Sequence, residues 1–91
     1  MKRVHLFITG DVIGVGFRAY IKNHANKLNL TGFARNVYHP KKGVECVVEG
    51  EEEKINQLIK ECKKGPEISL VKNVSITWRK PTGGFYVFKV I

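Results

Sequence analysis

Residues 10–18 of this chain read Gly10-Asp11-Val12-Ile13-Gly14-Val15-Gly16-Phe17-Arg18. Immediately before this stretch the aliphatic residues Val4, Leu6 and Ile8 occupy every second position, which predicts a strand with one buried face. After it, apolar residues recur at helical spacing from Phe17 to Leu28, which predicts a helix that stops near Leu30. The stretch is therefore a glycine-rich loop between a strand and a helix.

This loop has the properties of an anion site. The first amides of a helix have no partner within the helix, and the helix dipole favours negative charge there. Glycines let successive amides converge, and Arg18 lies where its guanidinium can donate to the same anion. A tight turn with a surface arginine fits the glycine spacing equally well. The loop has neither the Gly-Lys-Ser/Thr of a Walker loop nor the glycine spacing of a dinucleotide site.

The rest of the chain continues the alternation of strands and helices. A second helix is predicted to open with three glutamates and to end at Gly65-Pro66. Period-two alternation predicts further strands over Val44–Glu49 and Val74–Trp78. Two more strands are predicted over Phe33–Tyr38 and Phe85–Ile91. Four large side chains of the last two strands are expected to face the core: Trp78, Tyr86, Phe88 and Val90.

The element order is β-α-β-β-α-β-β. Right-handed crossovers place both helices on one face of the sheet. We therefore predict an α/β fold of the α+β sandwich type, ferredoxin-like, with a five-stranded mixed or antiparallel sheet. No linker or repeat interrupts the chain, so residues 1–91 are expected to form a single domain.

Charge and composition narrow the function classes. The net charge is +8 and the pI about 9.7, which favours anionic partners, but the basic residues are scattered, which disfavours nucleic acid. The cysteines, Cys46 and Cys62, form no zinc motif and are expected in the core, with their pairing left open. The sequence contains no signal peptide and no apolar run that would span a membrane, so we expect a cytoplasmic protein with no membrane partner.

The loop and a second motif resemble the acylphosphatase family. That family carries Gly-x-Val-Gln-Gly-Val-x-Phe/Tyr-Arg at the loop, followed by Gly, an aromatic, a small residue, a polar or basic residue, and Asn. Here the second motif is Gly32-Phe33-Ala34-Arg35-Asn36, followed by a Val-rich strand from Val44 to Gly50. Six loop residues match the first motif: Gly10, Val12, Gly14, Val15, Phe17 and Arg18. The resemblance covers essentially the whole chain.

The resemblance implies an enzyme that hydrolyses acyl phosphates to a carboxylate and inorganic phosphate, without a metal or cofactor. It implies that Arg18 binds the phosphoryl group and that Asn36 orients the attacking water. The phosphate-binding loop it implies consists of Ile13, Gly14, Val15, Gly16 and Phe17. We accordingly expect a monomer that acts on a small-molecule acyl phosphate and takes a phosphate or sulfate anion in this site.

Three features depart from the family pattern. Ile13 replaces the usual Gln, which leaves the site intact only if the loop uses the backbone amide at this position. Asp11 places a carboxylate near the expected phosphate. The turn after Asn36 is longer than usual and is expected to bring His39, Lys41 and Lys42 to the rim of the site.

An alternative function is a non-catalytic ferredoxin-like module that binds an anion or RNA. Residues 83–88, Gly-Gly-Phe-Tyr-Val-Phe, echo an RNA-binding strand motif, although that motif belongs on the third strand. A module that only binds an anion needs Arg18 more than Asn36. The presence of both residues favours the enzyme.

Overall fold

The computed structural model describes all 91 residues and contains seven elements in the predicted order. The helices are α1 (Phe17–Lys27) and α2 (Glu52–Lys64). The strands are β1 (Lys2–Asp11), β2 (Thr31–Val37), β3 (Gly43–Gly50), β4 (Leu70–Arg79) and β5 (Phe88–Val90). The order β-α-β-β-α-β-β is thus confirmed.

The five strands form one sheet in the order β4-β1-β3-β2-β5. The pairs β1–β3, β1–β4 and β2–β3 are antiparallel, and β2–β5 is parallel. The sheet is therefore mixed, and the ferredoxin-like prediction is confirmed. Because β1, β2 and β5 run in the same direction, the loop after β1, the end of β2 and the end of β5 meet at one end of the sheet.

The core lies between the sheet and the two helices. Alternate residues of β1, Val4, Leu6 and Ile8, are fully buried. The buried faces of α1 and α2 pack on the same side of the sheet. They consist of Phe17, Ile21 and Ala25 in α1, and Ile55, Leu58, Ile59 and Cys62 in α2. Cys46 and Cys62 are both buried and free, as the core prediction requires.

The first helix ends earlier than predicted. Its last helical residue is Lys27, and Asn29 adopts a left-handed conformation with φ of 57°. Asparagine tolerates this conformation, which ends a helix by turning the chain away from the axis. Thr31 and Gly32, which follow Leu30, already belong to β2.

The core prediction for Trp78 is wrong. Trp78 pairs with Val4, which is fully buried, yet it is 43% exposed itself. The reason is that β4 is an edge strand, and of its residues only Val71 and Val74 pack against the core cluster, which leaves the Trp78 end of the strand open to solvent. Ile76 is 39% exposed for the same reason.

The prediction for the last strand is also partly wrong. Only Phe88–Val90 forms a strand, because Phe85, Tyr86 and Val87 belong to the connection that crosses from one edge of the sheet to the other. Phe88 is buried as predicted, whereas Tyr86 is 90% exposed and Val90 is 39% exposed. No helix of the chain combines the length and the apolar character that crossing a membrane would need.

Candidate active site

The site begins where β1 leaves the regular sheet. The register of β1 against β4 shifts between Thr9 and Gly10, and pairing then continues to Asp11. A Cβ atom on Gly10 would lie 2.1 Å from the carbonyl oxygen of Leu70, so only glycine allows this approach. The bulge re-aims the chain into the loop over residues 12–16.

The loop has one apolar side and one open side. Val12 is buried, and Ile13 and Val15 pack against the core with partly buried side chains. Gly14 and Gly16 have left-handed backbones, with φ of 80° and 77°, and are exposed. An added Cβ on either glycine would meet nothing within 4 Å. Alternating conformations of this kind build concave arrays of amides that bind anions.

The N-terminus of α1 is left without a protein partner. Gly16 is the N-cap residue and has no side chain to cap the helix, and the first turn of α1 contains no acidic residue. Phe17, the first helical residue, is only 2% exposed and fixes the position of this end on the core. The free amides and the helix dipole therefore point their positive potential at the open side of the loop.

Arg18 is oriented by the last residue of the chain. Its Nη1 donates a hydrogen bond of 2.8 Å to the backbone oxygen of Ile91. The amide of Ile91 in turn donates to the carbonyl oxygen of Ala34, at 3.0 Å. One hydrogen bond occupies one of the five guanidinium donors, so the remaining donors are available to a ligand.

Asn36 approaches the same place from β2. It lies on the helix side of the sheet, in line with Ala34, which pairs with Val90. Its neighbour Arg35 points to the opposite, open face of the sheet, where it pairs with Glu45. The alternation along β2 thus directs the amide side chain of Asn36, and not the guanidinium of Arg35, toward Arg18.

A cavity of about 140 Å³ contains these groups. It brings together the predicted site residues Gly14, Gly16, Phe17, Arg18 and Asn36, and Val12, Ala19 and Val90 complete its lining. Ile13 and Val15 do not line it with their side chains, because these pack on the core. Asp11 and the turn residues His39, Lys41 and Lys42 are exposed and lie outside the lining.

The two thiols offer no nucleophile to this cavity. Burial raises the pKa of Cys62 to about 12, with a contribution from Glu61, and raises the pKa of Cys46 well above its usual value. Both side chains are therefore protonated at neutral pH and closed to solvent. No group of three or more His, Cys, Asp and Glu side chains is placed to hold a metal ion.

A larger depression of about 500 Å³ lies at the other end of the sheet. Its lining includes Lys2, Glu52 and Arg79, and Lys2 Nζ lies 3.8 Å from a carboxylate oxygen of Glu52. The N-terminus of α2 lies beside it, but the first turn of that helix already contains Glu52 and Glu53, whose negative charges oppose an anion there. The smaller cavity therefore has the better-defined chemistry.

A sequence model of the family described as Acylphosphatase matches residues 4–90. The chain belongs to the acylphosphatase family. The match includes the loop, Arg18 and Asn36, so the residues that line the cavity fall inside the family region. Membership in the acylphosphatase family makes the chain a hydrolase.

Individual relatives agree with this assignment. The acylphosphatase of Roseiflexus sp. (strain RS-1) is 38% identical over 91 residues, which cover 100% of this chain and 96% of the relative. The crystal structure of acylphosphatase from Bacillus subtilis matches with a TM-score of 0.93 and 28% identity, over 100% of this chain and 99% of that one. An acylphosphatase structure from Coxiella burnetii gives a TM-score of 0.90 and 31% identity, over 99% and 92% of the two chains.

Sequence reasoning missed the contribution of β5 to this cavity. Val90 lines the cavity, and the backbone oxygen of Ile91 holds Arg18. The parallel pairing of β5 with β2 brings these residues beside Asn36. A β-α-β-β-α-β-β order does not say which edge the last strand joins, so no local signal in the sequence indicates this contact.

Proposed function

We propose that this chain hydrolyses acyl phosphates in the cavity formed by the glycine loop, Arg18 and Asn36. The amides of residues 13–17 and the Arg18 guanidinium hold the phosphoryl group, and Asn36 orients the attacking water. The observation that carries the proposal is that Arg18 and Asn36, which are distant in sequence, line one cavity with Gly14 and Gly16. Acylphosphatase family membership supports the substrate class.

The cavity suits the charge distribution of phosphoryl transfer. This reaction spreads negative charge over the three peripheral oxygens, and catalysis comes mainly from positioning and charge stabilisation. Loop amides in left-handed geometry, an uncapped helix N-terminus and a guanidinium all direct donors to the same small volume. The contact to Ile91 fixes Arg18 before the substrate arrives, so little reorganisation is needed in the transition state.

The leaving group needs little help from the protein. A carboxylate with a pKa of roughly 4 departs as an anion, so no general acid has to protonate it. The cavity lining, accordingly, contains no Asp, Glu, His or Cys. Phosphate esters have much more basic leaving groups, and we expect poor activity on them.

The amide of Asn36 can both donate to and accept from a water molecule. The water oxygen forms a bond to phosphorus while the bond from phosphorus to the acyl oxygen breaks, and the electron pair leaves with the carboxylate. No side chain that could act as a base lines the cavity. A phosphoryl oxygen of the substrate therefore takes the proton of the water.

The departure at position 13 is compatible with this mechanism. The Ile13 side chain packs on the core, which leaves its backbone amide as the group this position offers to the loop. Asp11 lies outside the cavity lining, so its charge does not directly oppose the phosphoryl group there.

Hydrolysis of benzoyl phosphate at neutral pH with EDTA present tests the proposal. The wild type is compared with Arg18→Ala, Asn36→Ala and Lys22→Ala. Removal of one oxyanion donor typically costs about 100- to 1000-fold in rate, and we expect at least that loss for Arg18→Ala. For Asn36→Ala we expect a loss of at least about 100-fold, because the attacking water is no longer positioned. Lys22 is an exposed lysine one turn further along α1, and its removal should leave the rate near wild type. A folded wild type without activity would refute the proposal.

A further inference from the structure

We propose that Glu49, at the opposite end of the sheet from the cavity, is a positioning residue for Arg18. It anchors the segment of residues 80–87, which leads into β5. Through β5 it holds the backbone oxygen of Ile91 against the guanidinium. This inference rests on the proposed phosphate-binding role of Arg18.

Glu49 is an unusual residue for its location. It is only 1% exposed, and it is the one charged side chain that is fully buried. Its carboxylate accepts hydrogen bonds from the amides of Thr82 and Gly83, at 2.8 and 2.9 Å, and from Arg3 Nη1 at 3.0 Å. Burial alone would raise the pKa of Glu49, but these bonds outweigh it and hold the pKa below its usual value.

The segment it holds has few other contacts. Residues 81–84 are exposed and belong to no helix or strand. A second attachment comes from Phe85, which packs edge-to-face on Phe33 with ring centroids 6.0 Å apart. The Phe85 ring centroid also lies 5.2 Å from the guanidinium carbon of Arg3. Arg3 therefore contacts both the carboxylate and the aromatic ring of this anchor.

The strand that follows is weakly held by itself. β5 has three residues, pairs only with β2, and forms an edge of the sheet. Backbone hydrogen bonds from Gly32 to Val87 and from Ile91 to Ala34, both 3.0 Å, flank it. A strand this short needs a fixed entry point, because the entropy of the preceding irregular segment otherwise opposes its docking. Glu49 supplies that point.

The chain of contacts ends at the cavity. The Ile91 oxygen that holds Arg18 comes directly after β5, on the strand whose entry Glu49 anchors. If β5 leaves its place, the Arg18 guanidinium loses its only hydrogen bond to the protein, and Val90 leaves the cavity wall. A substitution that weakens the anchor should therefore reduce the affinity for phosphate, although no residue that lines the cavity has been replaced.

The test compares Glu49→Gln with Glu45→Gln. Glu45 is on the same strand and the same face of the sheet, but it pairs with His5 and Arg35. We expect Glu49→Gln to accelerate hydrogen exchange at the Ile91 amide and to weaken binding of inorganic phosphate about tenfold, a usual size for coupling between sites. Glu45→Gln should change neither. Faster exchange with unchanged phosphate affinity would overturn the inference.

An Arg18→Ala background distinguishes positioning from general loosening. Because the proposed route runs through the guanidinium, Glu49→Gln should cause no further loss of phosphate affinity when Arg18 is absent. Equal losses in both backgrounds would overturn the inference. If Glu49→Gln does not fold, Thr82→Val serves instead, because it removes the hydroxyl that donates to the Glu49 carboxylate. It should weaken phosphate binding in the same direction but by less. Unchanged phosphate affinity in Thr82→Val would also overturn the inference.

Hydrogen exchange and phosphate binding are measured without turnover, so the proposed hydrolysis and the proposed role of Glu49 can be refuted independently. A wild type that binds phosphate through Arg18 but does not hydrolyse benzoyl phosphate refutes the hydrolysis alone. A wild type that hydrolyses benzoyl phosphate, with Glu49→Gln indistinguishable from it in exchange and phosphate affinity, refutes the anchor alone.

Discussion

Replacement of Gly16 by alanine probes the phosphate loop at the residue that joins it to α1. Gly16 has φ of 77°, and a residue with a side chain in this left-handed region is about 1–2 kcal/mol less stable than glycine. No atom lies within 4 Å of the added Cβ, so no clash increases that cost. The apolar packing of Ile13 and Val15 keeps the loop in place, so we expect the free energy of unfolding to fall by about 1–2 kcal/mol.

The same change affects the anion directly. Gly16 lines the cavity and its Cβ would occupy open space, on the side where a phosphate is proposed to bind. A hydrogen bond to a charged group contributes about 1.5–3 kcal/mol. Loss of one loop contact should therefore weaken phosphate binding by roughly 10- to 100-fold.

Thermal unfolding and calorimetric titration with inorganic phosphate measure the two effects. For a domain of this size each kcal/mol lowers Tm by roughly 4–8 °C. Asn29→Ala is the matched control, since it also places alanine in a left-handed position (φ of 57°), on an exposed residue at the other end of α1. It should lower Tm and leave phosphate affinity unchanged. Phosphate binding by Gly16→Ala as tight as that of Asn29→Ala would refute the account of the loop.

Three further predictions concern charge, thiols and pH. Arg18→Lys keeps the charge but not the forked donors, so kcat/KM for benzoyl phosphate should fall about 10- to 100-fold while Lys22→Ala stays near wild type. Thiol reagents at pH 8 should label neither Cys46 nor Cys62 until the protein is denatured, because burial raises the pKa of both thiols. The pKa of Glu49 is lower in the folded protein than its usual value of 4.5, so the ionised carboxylate stabilises the fold above pH 4.5. This stabilisation is lost as the pH falls through the lowered pKa. The difference in unfolding free energy between wild type and Glu49→Gln should therefore shrink over that range. A difference that is constant with pH in denaturant titrations would contradict this.

Local patterns were sufficient to predict most of the fold. The period-two alternation of β1 and the helical spacing of α1 arise from burial on one face, which the structure confirms. The loop glycines and Arg18 lie in one short stretch of sequence, so an anion site could be predicted from that stretch alone. Asn36 required the family context, because an asparagine before a turn has an ordinary structural role by itself.

The errors come from contacts that no local pattern encodes. Trp78 alternates as a core residue does, but its strand lies at the edge of the sheet. Tyr86 belongs to a crossing segment held by the distant Glu49, and not to a strand. The support of Arg18 by Ile91 depends on the parallel pairing of β5 with β2, which sequence spacing does not determine.

In the proposed mechanism, the loop and Arg18 bind the phosphoryl group, whereas Asn36 orients the attacking water. The most direct test is one steady-state experiment on Asn36→Ala, which gives kcat for benzoyl phosphate and the inhibition constant of inorganic phosphate together. We expect kcat to be lower by at least about 100-fold and the inhibition constant to equal that of the wild type. A kcat near wild type, or a loss of phosphate affinity as large as the loss of rate, would contradict it.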